Sequence, residues 1–433
     1  MIKSAFIILS ILILNSCSFD TKSGIWTKEK IALNDRENNK IKELFKKEIP
    51  NENEFNSKLE IVLKNFSENR NKYKGNNFGA LKVDTNFKDI SKYNFSKIQY
   101  FDQFEPEAIF IDENLIFFDR KGSIIKFGEE SEITWKVNYY SKKEKKLSPL
   151  LKFERSGKNL LVIDNFAKMY LINTSDGKLI WKTEHNASLI SQIKIEDNKF
   201  YVLDANNTFS CYSLLDGKKL WNFVGEKKLI NSQKQTSVII TKDSVIFNNT
   251  KGEIISLNKF DGNLNWLTPT VEYGESLQSF LVKNSDLVLD ENNIYFSNNK
   301  NSFFSLDTNL GLINWKQDIS STLRPVIIDN IILTISPKGY LYILEKNSGN
   351  VIRITDIFYN IKSKNRKKIE INGFITSSDK IYLSTNNGKI IKINIENGNI
   401  DLVYRVSRSK ISKPYVNNGK IYIIKDNGIV KIN

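Results

Sequence analysis

Side chains that most often carry out catalysis are scarce in this sequence. It holds one histidine, His185, and two cysteines, Cys17 and Cys211. Neither His185 nor Cys211 has a His or Cys at the short spacing that a zinc or copper site needs, so no metal and no other cofactor is expected. Carboxylates such as Asp176 and Asp216 stand beside glycines in turns, where they stabilise the backbone. No nucleophile and base can be paired, and the sequence therefore predicts a protein that is not an enzyme.

Cys17 stands where a different chemistry is expected. A short cationic start, residues 1 to 3, precedes an apolar run over residues 5 to 14 that is too short to span a bilayer as a helix. This order is typical of a secretory signal peptide. The run ends in Leu-Asn-Ser-Cys at residues 14 to 17, which resembles the lipobox of bacterial lipoproteins. We therefore expect cleavage after residue 16 and acylation of Cys17, palmitate included; an ordinary signal peptide with an incidental cysteine is the alternative.

The residues behind Cys17 indicate which membrane such an anchor would enter. Asp20 lies three positions after Cys17 and not directly behind it. Asp directly behind the cysteine is the usual signal for retention in the inner membrane, so its absence favours the outer membrane, with the protein facing the periplasm. Two or more acyl chains would give a stable anchor, because a single chain binds membranes only marginally.

From about residue 107 to its end, the chain repeats one pattern at intervals of roughly 40 to 50 residues. Each copy has a short apolar strand, a turn with Asp or Asn and Gly, and a strand with Trp four residues after that Gly. Such turns favour Gly because they need a positive φ. The Trp is expected to fill the wedge against a neighbouring copy. The clear copies are Gly177 with Trp181, Gly217 with Trp221, Gly262 with Trp266 and Gly311 with Trp315, and degenerate copies place Trp135, Arg353 and Leu402 at the Trp position.

A repeat of this length with strands in every copy is the signature of a β-propeller. One copy reads as four strands between residues 191 and 223. Seven marked copies leave residues 410 to 433, which hold three strands, and the segment from Tyr93 to Phe101 could supply the fourth. The prediction is an all-β, eight-bladed propeller over residues 94 to 433, with N- and C-terminal strands closing the ring so that no sheet edge of the ring stays open. A seven-bladed ring is the alternative.

Residues 17 to 93 have a different composition, rich in Asn, Lys, Glu and Ser, and show little periodicity. We interpret them as a polar tether between the anchor and the ring, with a short amphipathic helix at residues 39 to 47. Ile41, Leu44 and Phe45 would lie on one face of that helix. A second folded module is the alternative, and a tether would let the propeller work at a distance from its membrane.

The net charge of +15 at pH 7 would by itself suggest a nucleic-acid partner. The excess is nearly all Lys, however, and it is scattered along the chain beside abundant Asn and Ile. Such a distribution is typical of a solvated surface, so no nucleic acid is expected.

The repeat resembles the pyrroloquinoline-quinone-type propeller repeat, which occurs in quinoprotein dehydrogenases and in the non-enzymatic BamB-like lipoproteins. The dehydrogenases are longer and usually carry an adjacent Cys pair, calcium ligands and an Asp base, and this sequence has no Cys-Cys pair. BamB-like proteins combine a lipobox with an eight-bladed ring, and both features match, at Cys17 and over residues 94 to 433. By this resemblance the chain is identified as a member of the BamB-like family.

The resemblance implies a non-catalytic accessory scaffold of the machinery that assembles outer-membrane β-barrel proteins. It would dock on the central barrel-inserting protein and help to present unfolded outer-membrane proteins, for which a strand edge is a reasonable binding mode. Two alternatives stay open: a periplasmic quinoprotein-like oxidoreductase, and another envelope-anchored propeller that binds proteins.

The resemblance also implies two docking loops, at residues 227 to 234 and 278 to 286. The family's loops carry a Leu-Leu-Arg cluster and paired Asp residues, whereas this chain has Asn231 in place of Arg and Lys283 in place of Asp. Adjacent aliphatic residues in such a loop are either tucked under a blade or offered to a partner. The candidate partner-binding residues are Leu229, Ile230, Asn231, Lys283, Asn284 and Asp286.

Overall fold

The computed structural model of this chain describes residues 72–88, 90–101, 104–226, 234–271, 282–377 and 379–433. The predicted signal peptide with Cys17, the predicted helix at 39–47, and the loop residues Leu229, Ile230 and Asn231 lie outside the described residues. Within the described part, no helix has both the length and the apolar character needed to cross a membrane. The helices there are short: α1 (Lys72–Gly75), α2 (Lys142–Lys146) and α3 (Ser363–Arg366).

The described strands form eight antiparallel sheets of four strands each, which confirms the eight-bladed propeller. Blade 1 consists of β2 (Ile109–Ile111), β3 (Asn114–Phe118), β4 (Ile124–Phe127) and β5 (Ile133–Val137). Blade 2 consists of β6 (Leu151–Ser156), β7 (Asn159–Asp164), β8 (Lys168–Asn173) and β9 (Leu179–Glu184). Blade 3 consists of β10 (Lys194–Glu196), β11 (Lys199–Leu203), β12 (Thr208–Ser213) and β13 (Lys219–Val224). Blade 4 consists of β14 (Val238–Ile240), β15 (Ser244–Asn248), β16 (Glu253–Asn258) and β17 (Leu264–Pro269). Blade 5 consists of β18 (Val288–Asp290), β19 (Asn293–Asn298), β20 (Ser302–Asp307) and β21 (Ile313–Gln317). Blade 6 consists of β22 (Val326–Ile328), β23 (Ile331–Ile335), β24 (Tyr340–Glu345) and β25 (Val351–Asp356). Blade 7 consists of β26 (Ile371–Ser377), β27 (Lys380–Thr385), β28 (Lys389–Asn394) and β29 (Ile400–Arg405). Blade 8 consists of β30 (Tyr415–Asn417), β31 (Lys420–Lys425), β32 (Gly428–Ile432) and, as its fourth strand, β1 (Ile90–Asn94).

The apolar pattern of each strand follows its place in the blade. The second and third strands, such as β11 and β12, are buried on both faces, because a blade packs between two neighbours. The fourth strand, such as β13, alternates exposed and half-buried residues. The core consequently consists of sectors between blades, as where Leu161 and Leu171 of blade 2 pack with Phe200 and Tyr212 of blade 3.

A second repeated residue, which the sequence analysis did not single out, fixes the turn between the second and third strands. Asp164 accepts hydrogen bonds through Oδ1 from the backbone N–H groups of Phe166 and Lys168, at 2.9 and 2.8 Å. An Asp or Asn that bonds its own turn in this way holds the backbone without a partner strand. The same two-bond arrangement recurs at Asp119, Asp204 and Asn249.

Ring closure occurs in blade 8, where β1 from the N-terminal side pairs antiparallel with β32, from Ile90 opposite Ile432 to Asn94 opposite Gly428. The closing strand lies earlier than the predicted segment, Tyr93 to Phe101. Residues 90 to 93, which the prediction gave to the tether, therefore belong to the ring. The difference arises because only Tyr93 of β1 is fully buried, whereas the more apolar stretch that follows packs as a loop.

The repeated Trp of one blade lies against the repeated Gly of the next. A Cβ added to Gly311 would meet the ring of Trp266 at 2.5 Å, and one added to Gly262 would meet Trp221 at 2.5 Å. The indole N–H also donates across the blade boundary, from Trp266 to the carbonyl of Thr308 at 2.9 Å. Equivalent bonds run from Trp135 to Thr174, Trp181 to Leu214 and Trp315 to Lys346.

Blades 6, 7 and 8 have residues other than Trp at this position of the fourth strand. Arg353 of blade 6 still bonds the next blade, through Nη1 to the carbonyl of Glu396. Leu402 of blade 7 faces blade 8, whose third and fourth strands are β32 and β1, and no hairpin joins these to receive a Trp. In β1 the residue at the Trp position is Ser91. Tyr93, two residues further on, donates a hydrogen bond from its hydroxyl to the backbone carbonyl of Glu129 in blade 1, at 3.3 Å. Tyr93 thus closes the last boundary.

We predict that Gly311→Ala destabilises the fold by about 1–3 kcal/mol more than Gly157→Ala, because the added methyl group must displace Trp266. Both glycines have positive φ, +70° and +58°, so the backbone strain is shared. Gly157 has no atom within 4 Å of its added Cβ and is the matched control. Chemical denaturation of both variants measures the difference. Equal losses would mean that the wedge contact contributes nothing.

Candidate functional site

The ring has two faces, defined by the order of strands in each blade. The hairpin face carries the first-to-second and third-to-fourth hairpins, which in blade 2 contain Gly157 and Gly177. The loop face carries the second-to-third turns and the connections between blades, and in blade 2 it includes Ala167. Both predicted docking loops are connections between blades in the sequence, and of their residues the structure describes 234 and 282 to 286.

Polar side chains from seven blades converge on the axis of the ring. Each comes from a residue near the start of a first strand, where charged or polar residues precede the apolar run. Adjacent members touch: Ser237 Oγ lies 3.2 Å from Gln192 Oε1. We call this set the axial ring; its members are Glu107, Lys152, Gln192, Ser237, Asp286, Arg324 and Lys413.

Opposite charges of the axial ring pair across blade boundaries. Arg324 of blade 6 donates from Nε and Nη2 to Asp286 Oδ2 of blade 5, at 2.7 and 2.5 Å. Lys413 of blade 8 lies 2.5 Å from Glu107 Oε1 of blade 1. These charge-assisted bonds join blades that share no backbone ladder. The ion pairs therefore act as fasteners between blades.

The carboxylates of the axial ring stay ionised because several cations surround them. Burial opposes ionisation of Asp286, but Arg324, Lys413 and Lys234 outweigh it and hold its pKa well below the ordinary range. Burial likewise opposes ionisation of Glu107, and Lys413 and Arg324 together still lower its pKa. Arg324 of blade 6 and Lys413 of blade 8 act on both Asp286 and Glu107, which shows that these charges share one small space.

A second layer lies two residues further along the first strands, nearer the hairpin face, because alternate residues of a strand point the same way. Burial raises the pKa of Glu154 to about 7, although Lys194 nearby opposes the rise. Burial also lowers the pKa of Lys194 in this layer to about 8, as it does for Lys152 in the axial ring. Tyr415 of blade 8 belongs to this layer, and burial raises its pKa well above the ordinary value.

One residue from outside the blades enters this layer. Asn76, which precedes β1 in the chain, accepts a hydrogen bond from Lys194 Nζ at 2.7 Å and is 2 % exposed. Phe78 packs its ring on the guanidinium of Arg324, 4.5 Å from ring centroid to Cζ. Residues of the predicted tether therefore pack at the hairpin-face end of the space between the axial ring and the second layer, which we call the axial channel.

The described candidate docking residues separate into three environments. Lys283 is exposed on the loop face, where its backbone N–H bonds Asn299 Oδ1 at 2.8 Å. Asn284 is buried and forms an isolated antiparallel β-bridge with Asn298 through its backbone. Asp286 points into the channel and pairs with Arg324. Only Lys283 of these three offers its side chain to a partner on the loop face.

Sequence reasoning missed the axial ring and Asn76. A signal for the ring existed, since Glu107, Lys152, Asp286, Arg324 and Lys413 all stand just before or within a short apolar first strand. Single charges in strands are common enough that the repeat becomes visible only after the blades are aligned. No pattern in the sequence marks Asn76, which lies in a stretch rich in Asn.

The sole histidine and the described cysteine both have structural surroundings. His185 contacts the Tyr212 hydroxyl through Nδ1 and lies 2.9 Å from Asp204 Oδ2 through Nε2, buried between blades 2 and 3. Cys211 is a buried, free thiol in β12, and burial raises its pKa to about 12. A thiol with so high a pKa is a poor nucleophile. Among the described residues no group of three His, Cys, Asp or Glu side chains could hold a metal ion.

The strand order and the eight four-stranded blades define a β-propeller. A sequence model of the family described as "Outer membrane protein assembly factor BamB" matches residues 120–355, more than half of the chain. The chain therefore belongs to the BamB family. No curated protein sequence matches it.

Solved structures with very different names share this fold. BamB from Moraxella catarrhalis is 14 % identical, with a TM-score of 0.64 over 79 % of this chain and 100 % of that one. The quinohemoprotein alcohol dehydrogenase from Comamonas testosteroni is 8 % identical, with a TM-score of 0.60 over 82 % and 78 %. Sqt1 from Saccharomyces cerevisiae is 12 % identical, with a TM-score of 0.60 over 79 % and 99 %. At such identities the likeness shows the fold alone.

A quinone cofactor of the dehydrogenase type does not fit the residues of this axis. Its carboxylates would need unengaged cations, but Arg324 and Lys413 are paired with Asp286 and Glu107 across the blade boundaries. Lys152, the third cation of the axial ring, donates to the carbonyls of Leu189 and Ser191. Asn76 and Phe78 pack at the hairpin-face end of the axial channel. The side chains at the axis are thus engaged in holding neighbouring blades and the N-terminal residues together.

We predict that Glu154→Gln stabilises the fold increasingly as the pH rises from about 5 to about 8. The folded pKa of Glu154 is raised to about 7, so its stabilising contribution is complete below the unfolded pKa and is lost as the pH rises through 7. Gln mimics the protonated form, so the gain over the natural chain should reach about 1–2 kcal/mol at pH 8.

Denaturant unfolding at several pH values measures this gain. Glu130→Gln, on an exposed turn, is the matched control and should show no such trend. A gap between Glu154→Gln and the natural chain that stays constant with pH would contradict the assignment.

Proposed function

We propose that this chain is a non-catalytic accessory scaffold of the machinery that assembles β-barrel proteins in the outer membrane. The observation that carries the proposal is its membership of the family described as outer membrane protein assembly factor BamB. The fold supports it, since the likeness to BamB from Moraxella catarrhalis extends over the whole of that chain.

The chemistry of the ring also supports a scaffold. Two ion pairs between blades, Arg324 with Asp286 and Lys413 with Glu107, engage four of its buried charges, and its buried thiol has a raised pKa. An active site would instead need a base or nucleophile free to meet a substrate. These side chains hold the blades together, and the surface of the ring is then the part that can act.

The loop face offers the docking surface. The connection between β17 and β18, from Pro269 to Val288, is the longest between two blades, and it presents the exposed Lys283 at its end. The preceding connection contains Leu229 and Ile230. We propose that these two connections bind the central barrel-inserting protein. Unfolded outer-membrane proteins would add to the outer edges of the fourth strands, which stay unpaired in the described part of the chain although the ring itself is closed.

Lipidation of Cys17 would place this scaffold at its site of action. The Leu-Asn-Ser-Cys sequence at residues 14 to 17 supports an acylated Cys17, and the absence of Asp directly behind it supports the outer membrane. The ring would then face the periplasm, in which unfolded outer-membrane proteins travel.

The experiment is a mild-detergent pull-down of the tagged, lipidated chain from its native envelope, with mass spectrometry of the co-purifying proteins. We predict recovery of the barrel-assembly complex with the natural chain. The combined change Leu229→Asp, Ile230→Asp and Lys283→Asp should reduce that recovery by about tenfold or more, because it places charge in the apolar centre of the interface.

The hairpin face provides the matched control. Leu215, Phe260 and Leu310 are exposed at 70, 58 and 67 % on hairpin tips of three consecutive blades, so changing all three to Asp introduces the same number of carboxylates on the other face. This variant should recover the complex normally. Failure to recover the complex with the natural chain would contradict the proposed function, and loss with the hairpin-tip variant alone would move docking to the other face. Co-purification of electron-transfer proteins would favour an oxidoreductase.

A further inference from the structure

Residues 74 to 86, which we call the strap, cross the hairpin face of the ring before the chain enters β1. The strap meets blade 3 where Lys74 pairs with Glu196, and blade 5 where Asn77 Nδ2 donates to Asp290 Oδ1 at 3.1 Å. Glu196 and Asp290 are the last residues of their first strands. The strap ends at blade 8, where the N–H of Asp84 donates to the carbonyl of Gly419 at 2.7 Å. Its path therefore runs across the mouth of the axial channel.

Asn76 is the centre of the strap's contact with the ring. Its Nδ2 lies 3.1 Å from Gln192 Oε1, 3.0 Å from Ser237 Oγ and 3.0 Å from the carbonyl of Leu287, one residue from each of blades 3, 4 and 5. Its Oδ1 accepts from Lys194. Donors and acceptors of this buried amide are thus all engaged, as in a specific recognition site.

The backbone at Asn76 suits this role. Its φ is +58°, in the left-handed region that Asn tolerates better than other residues with a side chain. That turn sends the amide into the channel while the chain continues across the face. A residue without the amide would lose the bonds, and most others would also strain the turn.

Beyond Asn76 the strap meets the edge of a first strand at one bridge. Ala80 forms a parallel bridge with Thr376 of β26, and the N–H of Leu81 donates to the carbonyl of Thr376 at 2.8 Å. The Thr376 hydroxyl donates in turn to the carbonyl of Gly79 at 3.0 Å. Backbone bonds of this kind hold a peptide at a sheet edge, and here the same chain supplies the peptide.

Phe78 connects the strap to the axial ring. Its ring lies on the guanidinium of Arg324, whose other side is paired with Asp286. A cation held between a carboxylate and an aromatic face is fixed in position. The strap therefore completes the ring's inner surface.

We propose that the hairpin-face mouth of the axial channel is a binding site for an extended peptide, and that its ligand is the chain's own strap. Asn76 is the specificity-determining residue of this ligand, and Phe78 seals the axis. The channel is consequently closed on the hairpin face, and the N-terminal region is held to blades 3 to 8 in addition to its covalent link through β1. This inference stands whether or not the ring serves barrel assembly.

The test cuts the strap from the ring in the folded full-length chain. A site for a specific protease is inserted between Lys88 and Asp89, so cleavage leaves β1 in the ring and frees the strap covalently. We expect the N-terminal fragment to stay with the ring in size-exclusion chromatography. In the Asn76→Ala chain it should dissociate roughly 10–100-fold faster, because several buried hydrogen bonds are lost.

Asn86→Ala is the matched control, since Asn86 lies in the same strap but its side chain bonds only the N–H of Lys88. Its fragment should be retained like that of the natural chain. Circular dichroism and thermal unfolding of each uncut chain confirm that it folds, and Asn76→Asp provides a second variant. Immediate release of the natural fragment, or equal release from the Asn76→Ala and Asn86→Ala chains, would overturn the proposal.

Discussion

The contact between one blade and the next is the constraint on which this structure depends. A four-stranded blade is apolar on both faces, so no blade can be stable until both neighbours cover it. The chain meets this need with one device used repeatedly, a large side chain on the fourth strand that lies against a glycine turn of the following blade, as Trp266 does on Gly311. The device works only if the last blade also meets the first, which makes β1 and Tyr93 as necessary as any Trp.

The same requirement accounts for the charged centre. First strands converge at the axis, where there is little room for large apolar side chains and where water would otherwise enter. Pairs such as Arg324 with Asp286 join neighbouring blades there. Truncating one partner of such a pair would leave a buried charge without compensation, which is costly. Because the axis holds the ring together, the proposed scaffold role rests on the loops and edges at the surface.

The sequence predicted the propeller because its repeat is written in residues with fixed structural roles, glycine at positive φ and Trp at a wedge. The number of blades followed from the position of those residues. The closing strand was placed too late because β1 has a single fully buried side chain, Tyr93, and such a strand leaves almost no apolar pattern. The roles of Asn76 and Asp286 depend on partners more than a hundred residues away or in a neighbouring blade, and no local pattern records them.

Hydrogen–deuterium exchange of the full-length chain, followed at the amides of Ile90–Asn94, is the most direct test of the account. If β1 closes the ring by pairing with β32, its ladder amides should exchange within about tenfold of the rate of the β32 amides, since both strands open only when blade 8 opens. Exchange of β1 at the rate of an unstructured terminus, with β32 still protected, would show that the ring is not closed by this strand and would contradict the account.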